Sequence, residues 1–468
     1  MTAPIMMPVP PPFSLLGALF GDPEMARIFS EERTIEGWLE AEVALARAQA
    51  SVGVLTHDEA EAIAHAATLE HVDRPQLWAH ARNVGYPILP LIRQIGQHLL
   101  EGPRLRLHYG ATTQDIMDTG LCLQLRDACE RFETLLIQCG VALERLIVRH
   151  ATTVIAARTH AQQAVPTTFG AKLAVTLSEI TRQLERVRRT RFAIAQVSLH
   201  GAGGTSAALG IHARAIRLEM ARRLDLTASD VPWHVSRDAI AEFGLLAASL
   251  ASSMARFARE VVDLSRTEIG ELREPDGHHR GASSTMPQKA NPINSEAVIG
   301  MAASAAALSS AMYRAMEAGH ERSAGEWQVE WFALPHLAAL AAGALSNGLE
   351  VMEGLRVYPE VMRANLKADS GLVMSEAYMI RLAEQLGQAQ AHDLVYAAVR
   401  EVRTHDTTLL EALRPRVPDQ VWRALEHGFP ILPEAYTGEA QHVCRAAVSA
   451  WHDVQTAAPR ITKETLDV

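Results

Sequence analysis

The chain has 468 residues, 48% hydrophobic and 21% charged, a globular composition with enough interior for a sizeable core, which argues against disorder. Its net charge of −10 disfavours a nucleic-acid backbone as partner, and no stretch approaches ~18 uninterrupted apolar residues, so no membrane span is expected. Cys122, Cys129, Cys139 and Cys444 lack metal spacing, HExxH is absent and the adjacent His278 and His279 read as polar loop residues; no metal or organic cofactor is expected, and a reducing cytoplasm is the simplest compartment.

In chain order, the opening MTAPIMMPVPPPF lacks a basic start and is broken by prolines, so it reads as a flexible arm rather than a signal peptide. A helical region then runs to about Leu107, with a break at Gly102-Pro103. His108–Thr119 follows as a helix start, with Thr112 as N-cap and Asp115 three residues on in a variant of the capping box. The same residues suit binding. Thr112, Thr113 and Gln114 would aim hydroxyl and amide donors at a carboxylate, aided by the helix N-terminus, with Asp115 and Thr119 structural. From Glu130 to His150, Phe132, Leu135, Leu136, Cys139, Leu143, Leu146 and Ile147 form a helical stripe.

Arg158–Gly170 contains His160 beside Thr159, which by itself reads as a satisfied polar residue. Gly201-Ala202-Gly203-Gly204-Thr205-Ser206 lacks a GK[ST] ending and a βαβ context, so nucleotide binding there is not expected. Phe243, Leu246, Leu250, Met254, Phe257, Val261 and Leu264 then recur in alternating steps of three and four, as in a helix packed lengthwise on others.

Next comes the proline-punctuated loop Gly281–Glu296, crowded with hydroxyls, the Lys289 ammonium and the Asn291 amide, which suits a polar catalytic lid. A third long helix starts near Ser295 through MAASAAALSSAMYRAM, where small side chains permit close approach. In His320–Trp331, Trp327 and Trp331 share a helix face, which normally means core packing, and Arg322 stands ready for an ion pair or a ligand. Convincing period-two strands and internal repeats are missing, so the fold is expected to be all-α with a central bundle of long helices. Three segments are expected: an N-terminal helical domain over residues 1–108, a central bundle over 109–358, and a C-terminal helical domain over 359–468, opened by Pro359.

The loop Gly281–Pro292 resembles the signature of the fumarase/aspartase superfamily, Gly-Ser-Ser-x-Met-Pro-x-Lys-x-Asn-Pro, departing from it only at Ala282. Gly110–Asp115 resembles that family's Gly-x-Thr-Ser-x-Asp segment, and Thr159–Thr168 its Thr-His-x-Gln segment. Pro232–Asp238, Gly201–Ser206 and His320–Trp331 are most similar to its 3-carboxy-cis,cis-muconate cycloisomerase branch, while Met362–Leu366 and Ser375-Glu376 resemble adenylosuccinate lyases. The cycloisomerase pattern carries tryptophan at the place of His160 and histidine at that of Gln163. The Thr159-His160 pair is instead similar to lyases that release fumarate.

The resemblance implies an all-α homotetramer with composite sites and a small polycarboxylate substrate. It implies Ser283 as the base, His160 in proton transfer, Lys289 as charge stabiliser and Glu296 positioning Lys289 or His160. Thr112, Thr113, Gln114, Thr159, Gln163, Ser284, Met286, Asn291 and Arg322 would bind substrate, and the helix beginning near Asn294 would add N–H donors. The reaction it favours is β-elimination from an N-substituted aspartate or related succinyl compound through an aci-carboxylate, giving fumarate. Carboxymuconate cycloisomerisation, epimerisation through the same carbanion, and a catalytically silent homologue are the alternatives.

Overall fold

In the computed structural model the chain is described over residues 14–456, apart from Asp276, His279, Ser284 and Pro287. The proline-rich opening and His279 therefore lie outside the described residues. The fold is all-α, as the periodicity implies, and is dominated by α1 (Thr113–Arg149), α2 (Phe169–Ile194), α3 (Asp238–Leu264), α4 (Ile293–Ala315) and α5 (Glu326–Gly354). Both apolar stripes are core. Phe132 through Ile147 on α1 and Phe243 through Leu264 on α3 are buried at every stripe position, each large side chain contributing about 1.5–3 kcal/mol relative to exposure.

The chain forms two compact units, and every boundary between them falls within one of these long helices. The first comprises Met1–Leu135, Glu185–Met254 and Ala297–Ser346. Within it, Phe132 and Phe243 stack with ring centroids 5.9 Å apart. At Gly244 of α3 a Cβ would stand 2.7 Å from Cγ of Met312 and 3.2 Å from Cδ1 of Leu337, so any larger residue there would force the Met312 side chain to shift.

The second unit comprises Leu136–Leu184, Ala255–Glu296 and Asn347–Val468. It contains a departure from the expected absence of strands: β1 (Val154–Thr159) pairs antiparallel with β2 (Gln162–Thr168). Val154, Ile155 and Ala156 are all buried and the register shifts between Ala156 and Arg158, which erases the alternation that would have marked a strand. Val154 and Ala156 join a core with Leu366, Tyr378, Leu382 and Val395 from the C-terminal helices. We keep the three-segment division at 108 and 358 as a proposal about sequence organisation.

By length and composition, α3, α4 and α5 are each apolar enough to cross a membrane. The sequence holds no uninterrupted run of that kind, but alanine-rich stretches raise the average. Their apolar stretches are 67%, 39% and 61% buried, so α4 is the least covered.

Candidate active site

In the first unit, α1 begins where expected, with Thr112 before it and the Thr112 N–H donating to Asp115 Oδ2 at 3.0 Å. Asp115 is fully buried and also accepts from the N–H groups of His200 and Gly201, both at 2.9 Å, and from Ser198 Oγ at 3.2 Å. His234 Nε2 lies 2.8 Å from the same carboxylate. Burial works against the Asp115 charge, but the His234 contact and the backbone donors prevail and hold its carboxyl below the usual range. Asp115 is thus the anchor that ties the 198–206 and 232–238 segments to the start of α1. Thr119 serves the same end, donating to the Ser198 carbonyl.

Above this anchor the half-buried Thr112 and Thr113 stand near the surface, whereas Gln114 is only 1% exposed. Gln114 Nε2 donates to Asp118 Oδ2 at 3.1 Å and to the His234 carbonyl at 2.9 Å, and its Oε1 accepts from Arg322 Nη1 at 2.8 Å. Arg322 also donates to the Ala202 carbonyl at 3.2 Å. The expectation that Gln114 offers an amide donor to a carboxylate therefore meets a correction: both its N–H groups are engaged inside the fold. Trp327 is core, stacked on Tyr86 at 5.8 Å, but Trp331 is 39% exposed.

In the second unit the Gly281–Asn291 loop is closed at its neck. The Asn291 N–H donates to the Gly281 carbonyl at 2.9 Å, and Ala282 bridges Ala290. Gly281 has φ +63°, and a Cβ there would fall 2.4 Å from the Asn291 carbonyl oxygen. Inside the loop, Ser283 Oγ accepts the N–H groups of Met286 at 3.2 Å and Thr285 at 3.3 Å. Lys289 and Met286 are exposed, and Asn291 is half-buried. Ser284 lies outside the described residues.

The N-terminus of α4 corrects a second expectation. Glu274 Oε1 accepts the Ser295 N–H at 2.7 Å and its hydroxyl at 2.6 Å, while Oε2 accepts the Asn294 N–H at 3.2 Å. The Ile293 and Glu296 N–H groups go to the Asn291 and Pro292 carbonyls. This helix end is capped internally, with the N–H groups of Ile293 through Glu296 all engaged within the fold. Glu296 is exposed and makes no hydrogen bond to Lys289 or His160 among the described residues.

His160 sits at the tip of the β1–β2 hairpin. Thr159 pairs with Gln162, and His160 and Ala161 between them have φ 51° and 62°. Two left-handed residues in a two-residue turn are the type I′ geometry that Asn-Gly satisfies cheaply; side chains bearing Cβ cost about 1–2 kcal/mol each there. A firm hairpin base holds this strain. Arg158 makes a bidentate pair with Glu271 at 2.9 and 2.7 Å, and Asn365 Nδ2 donates to the same carboxylate at 2.8 Å. Gln163 Nε2 donates to the Asn365 carbonyl at 3.2 Å, and Gln163 Oε1 is buried without a partner among the described residues. Thr159 and His160 are exposed.

Sequence reasoning missed Glu271 and Glu274 and gave no role to His234 or Arg237 within the Pro232–Asp238 segment, because their partners lie 20 to 120 residues away. Comparison with known proteins agrees with the motifs. The family model described as "Lyase" matches residues 21–306. The chain is 37% identical over 452 residues to the 3-carboxy-cis,cis-muconate cycloisomerase of Pseudomonas aeruginosa, covering 94% of this chain and 97% of that relative. It is 34% identical over 405 residues to the N-acetyl-S-(2-succino)cysteine lyase of Dickeya dadantii, covering 85% and 88%. It also matches the crystal structure of the 3-carboxy-cis,cis-muconate lactonizing enzyme from Pseudomonas putida, with TM-score 0.89 and 36% identity over 94% of this chain and 99% of that one. The chain belongs to the fumarase/aspartase superfamily of enzymes.

Proposed function

We propose that this enzyme is a lyase acting on a succinyl-type polycarboxylate, an N-substituted aspartate or related compound, and releasing fumarate. The observation that carries the reading is the Ser283 oxygen, which already accepts two backbone N–H groups. A serine is a poor base in water. Donors fixed around its oxygen stabilise the alkoxide and so raise the fraction of Ser283 able to act as a base.

Ser283 takes the proton from the carbon beside one carboxylate. The C–H pair moves onto that carboxylate as an aci-carboxylate, whose second negative charge Lys289 and Asn291 offset. The pair then forms the carbon–carbon double bond as the bond from the neighbouring carbon to the leaving group breaks. The leaving group departs with that bonding pair and gains a proton through His160. Thr112, Thr113 and Arg322 hold the remote carboxylate, with Thr159, Gln163, Ser284 and Met286 lining the site and Glu296 orienting Lys289 or His160. The candidates are divided between the two units, and the apolar stretch of α4 is only 39% buried. We therefore also propose that copies of the chain assemble as a homotetramer with composite sites.

A second reading, carboxymuconate cycloisomerisation, is favoured by the 36% identity and TM-score 0.89 to the lactonizing enzyme. His160 separates the two. A panel of N- and S-substituted succinates and 3-carboxy-cis,cis-muconate, followed by ultraviolet absorbance, should show fumarate release that falls about 10²-fold in His160→Gln. Rapid muconate consumption without fumarate chemistry, insensitive to His160→Gln, would establish the second reading instead.

A further inference from the structure

We propose that Gln114 is a positioning residue, oriented by a buried Asp118–Arg237–Glu330 ion triad so that its carbonyl oxygen holds the Arg322 guanidinium in place. The inference rests on the reading of Arg322 as a substrate-binding residue.

A glutamine amide has two N–H donors and one carbonyl oxygen. Both donors of Gln114 meet acceptors, the Asp118 carboxylate, whose two oxygens also accept from Arg237, and the His234 carbonyl. Turning the amide over would set oxygen against oxygen at both places. Its own oxygen must therefore face Arg322, 2.8 Å away. With Nη2 on the Ala202 carbonyl, the guanidinium is held at two points, and the rest of its donor fork is left for a carboxylate.

Asp118 can impose this orientation because it is itself fixed. Arg237 Nη1 and Nη2 bind its two oxygens at 2.8 and 3.1 Å. The other edge of Arg237 binds Glu330 through Nε at 2.8 Å and Nη2 at 2.5 Å. The three side chains are at most 1% exposed, and the Arg237 guanidinium lies over the Trp233 ring at 5.1 Å. Such a buried triad is weak evidence for stability, since well-packed apolar residues often do as well, but it is directional. Here its direction is passed through one amide to a half-buried arginine.

The test is a double-mutant cycle read in steady-state kinetics, with thermal melts to confirm folding. Arg322→Ala should raise KM for the polycarboxylate substrate about 10-fold or more; if it does not, the reading of Arg322 fails, which is a separate result. Given that effect, Gln114→Leu should raise KM about 10-fold with kcat within about 3-fold, and should add nothing in the Arg322→Ala background. Arg237→Lys, which keeps the charge but cannot bind both acids bidentately, should show the same pattern and decides the matter if the leucine variant does not fold. KM costs that persist undiminished in the Arg322→Ala background would mean direct substrate contact and overturn the proposal. Lowered melting temperature and kcat with unchanged KM would overturn it as well.

Discussion

Replacing Gly281 by alanine perturbs the neck of the Ser283 loop without replacing any side chain proposed to act on substrate. Gly281 has φ +63°, a conformation that costs a residue with Cβ about 1–2 kcal/mol. The new Cβ would also meet the Asn291 carbonyl oxygen at 2.4 Å and its nitrogen at 3.0 Å, backbone atoms that cannot swing aside as a side chain would. Relieving that overlap stretches the 2.9 Å hydrogen bond from Asn291 to Gly281, worth a further ~1 kcal/mol. Together these penalties, about 2–3 kcal/mol, lower the closed-to-open ratio of the loop roughly 30- to 150-fold. Because the loop is exposed and contributes little to the core, the cost should appear in kcat while the global melting temperature shifts only slightly. Steady-state kinetics and thermal melts on Gly281→Ala, beside wild type, measure both. A variant that keeps more than about a third of wild-type kcat would show that the closed neck does not matter to turnover.

Inactive His160→Ala and Ser283→Ala proteins, mixed and refolded together, should regain partial activity if each site draws on several copies, and a monomer by light scattering would refute the composite site. Stability should fall as pH drops from 6.5 toward about 4, since burial holds the His200 imidazole down to about 4 and the unfolded chain binds the extra proton in that window. His200→Gln should flatten the decline; urea unfolding at both ends of the window checks this, and an unchanged slope would assign it to other groups.

The helices were legible because their burial is periodic, and Phe132, Cys139 and Leu143 repeat a helical face that local spacing alone reveals. The hairpin was not. Its first three residues are buried on both faces and a register shift follows, so no alternation survives in Val154–Thr159. The motif residues around Thr112, His160 and Ser283 were readable as chemistry, but their environment was not. Glu274 fills the N-terminus of α4 from 21 residues away, and Gln114 spends its donors on Asp118 and His234, the latter 120 residues distant. Contacts of that separation leave no local pattern, which is why the helix N-terminus and the Gln114 amide both read as free donors in the sequence.

The proposal that Ser283 removes a carbon-bound proton is tested most directly by Ser283→Ala. Turnover of the substituted succinate and exchange of its acidic hydrogen with deuterated solvent would be measured alongside binding by calorimetry. The variant should fold and bind substrate nearly as wild type does, because Lys289, Asn291 and Arg322 remain, while turnover and exchange both fall about 10³-fold or more. If it kept more than about a tenth of wild-type kcat, equivalent to only ~1.4 kcal/mol of barrier, or still washed out the hydrogen at the wild-type rate, Ser283 would not be the base.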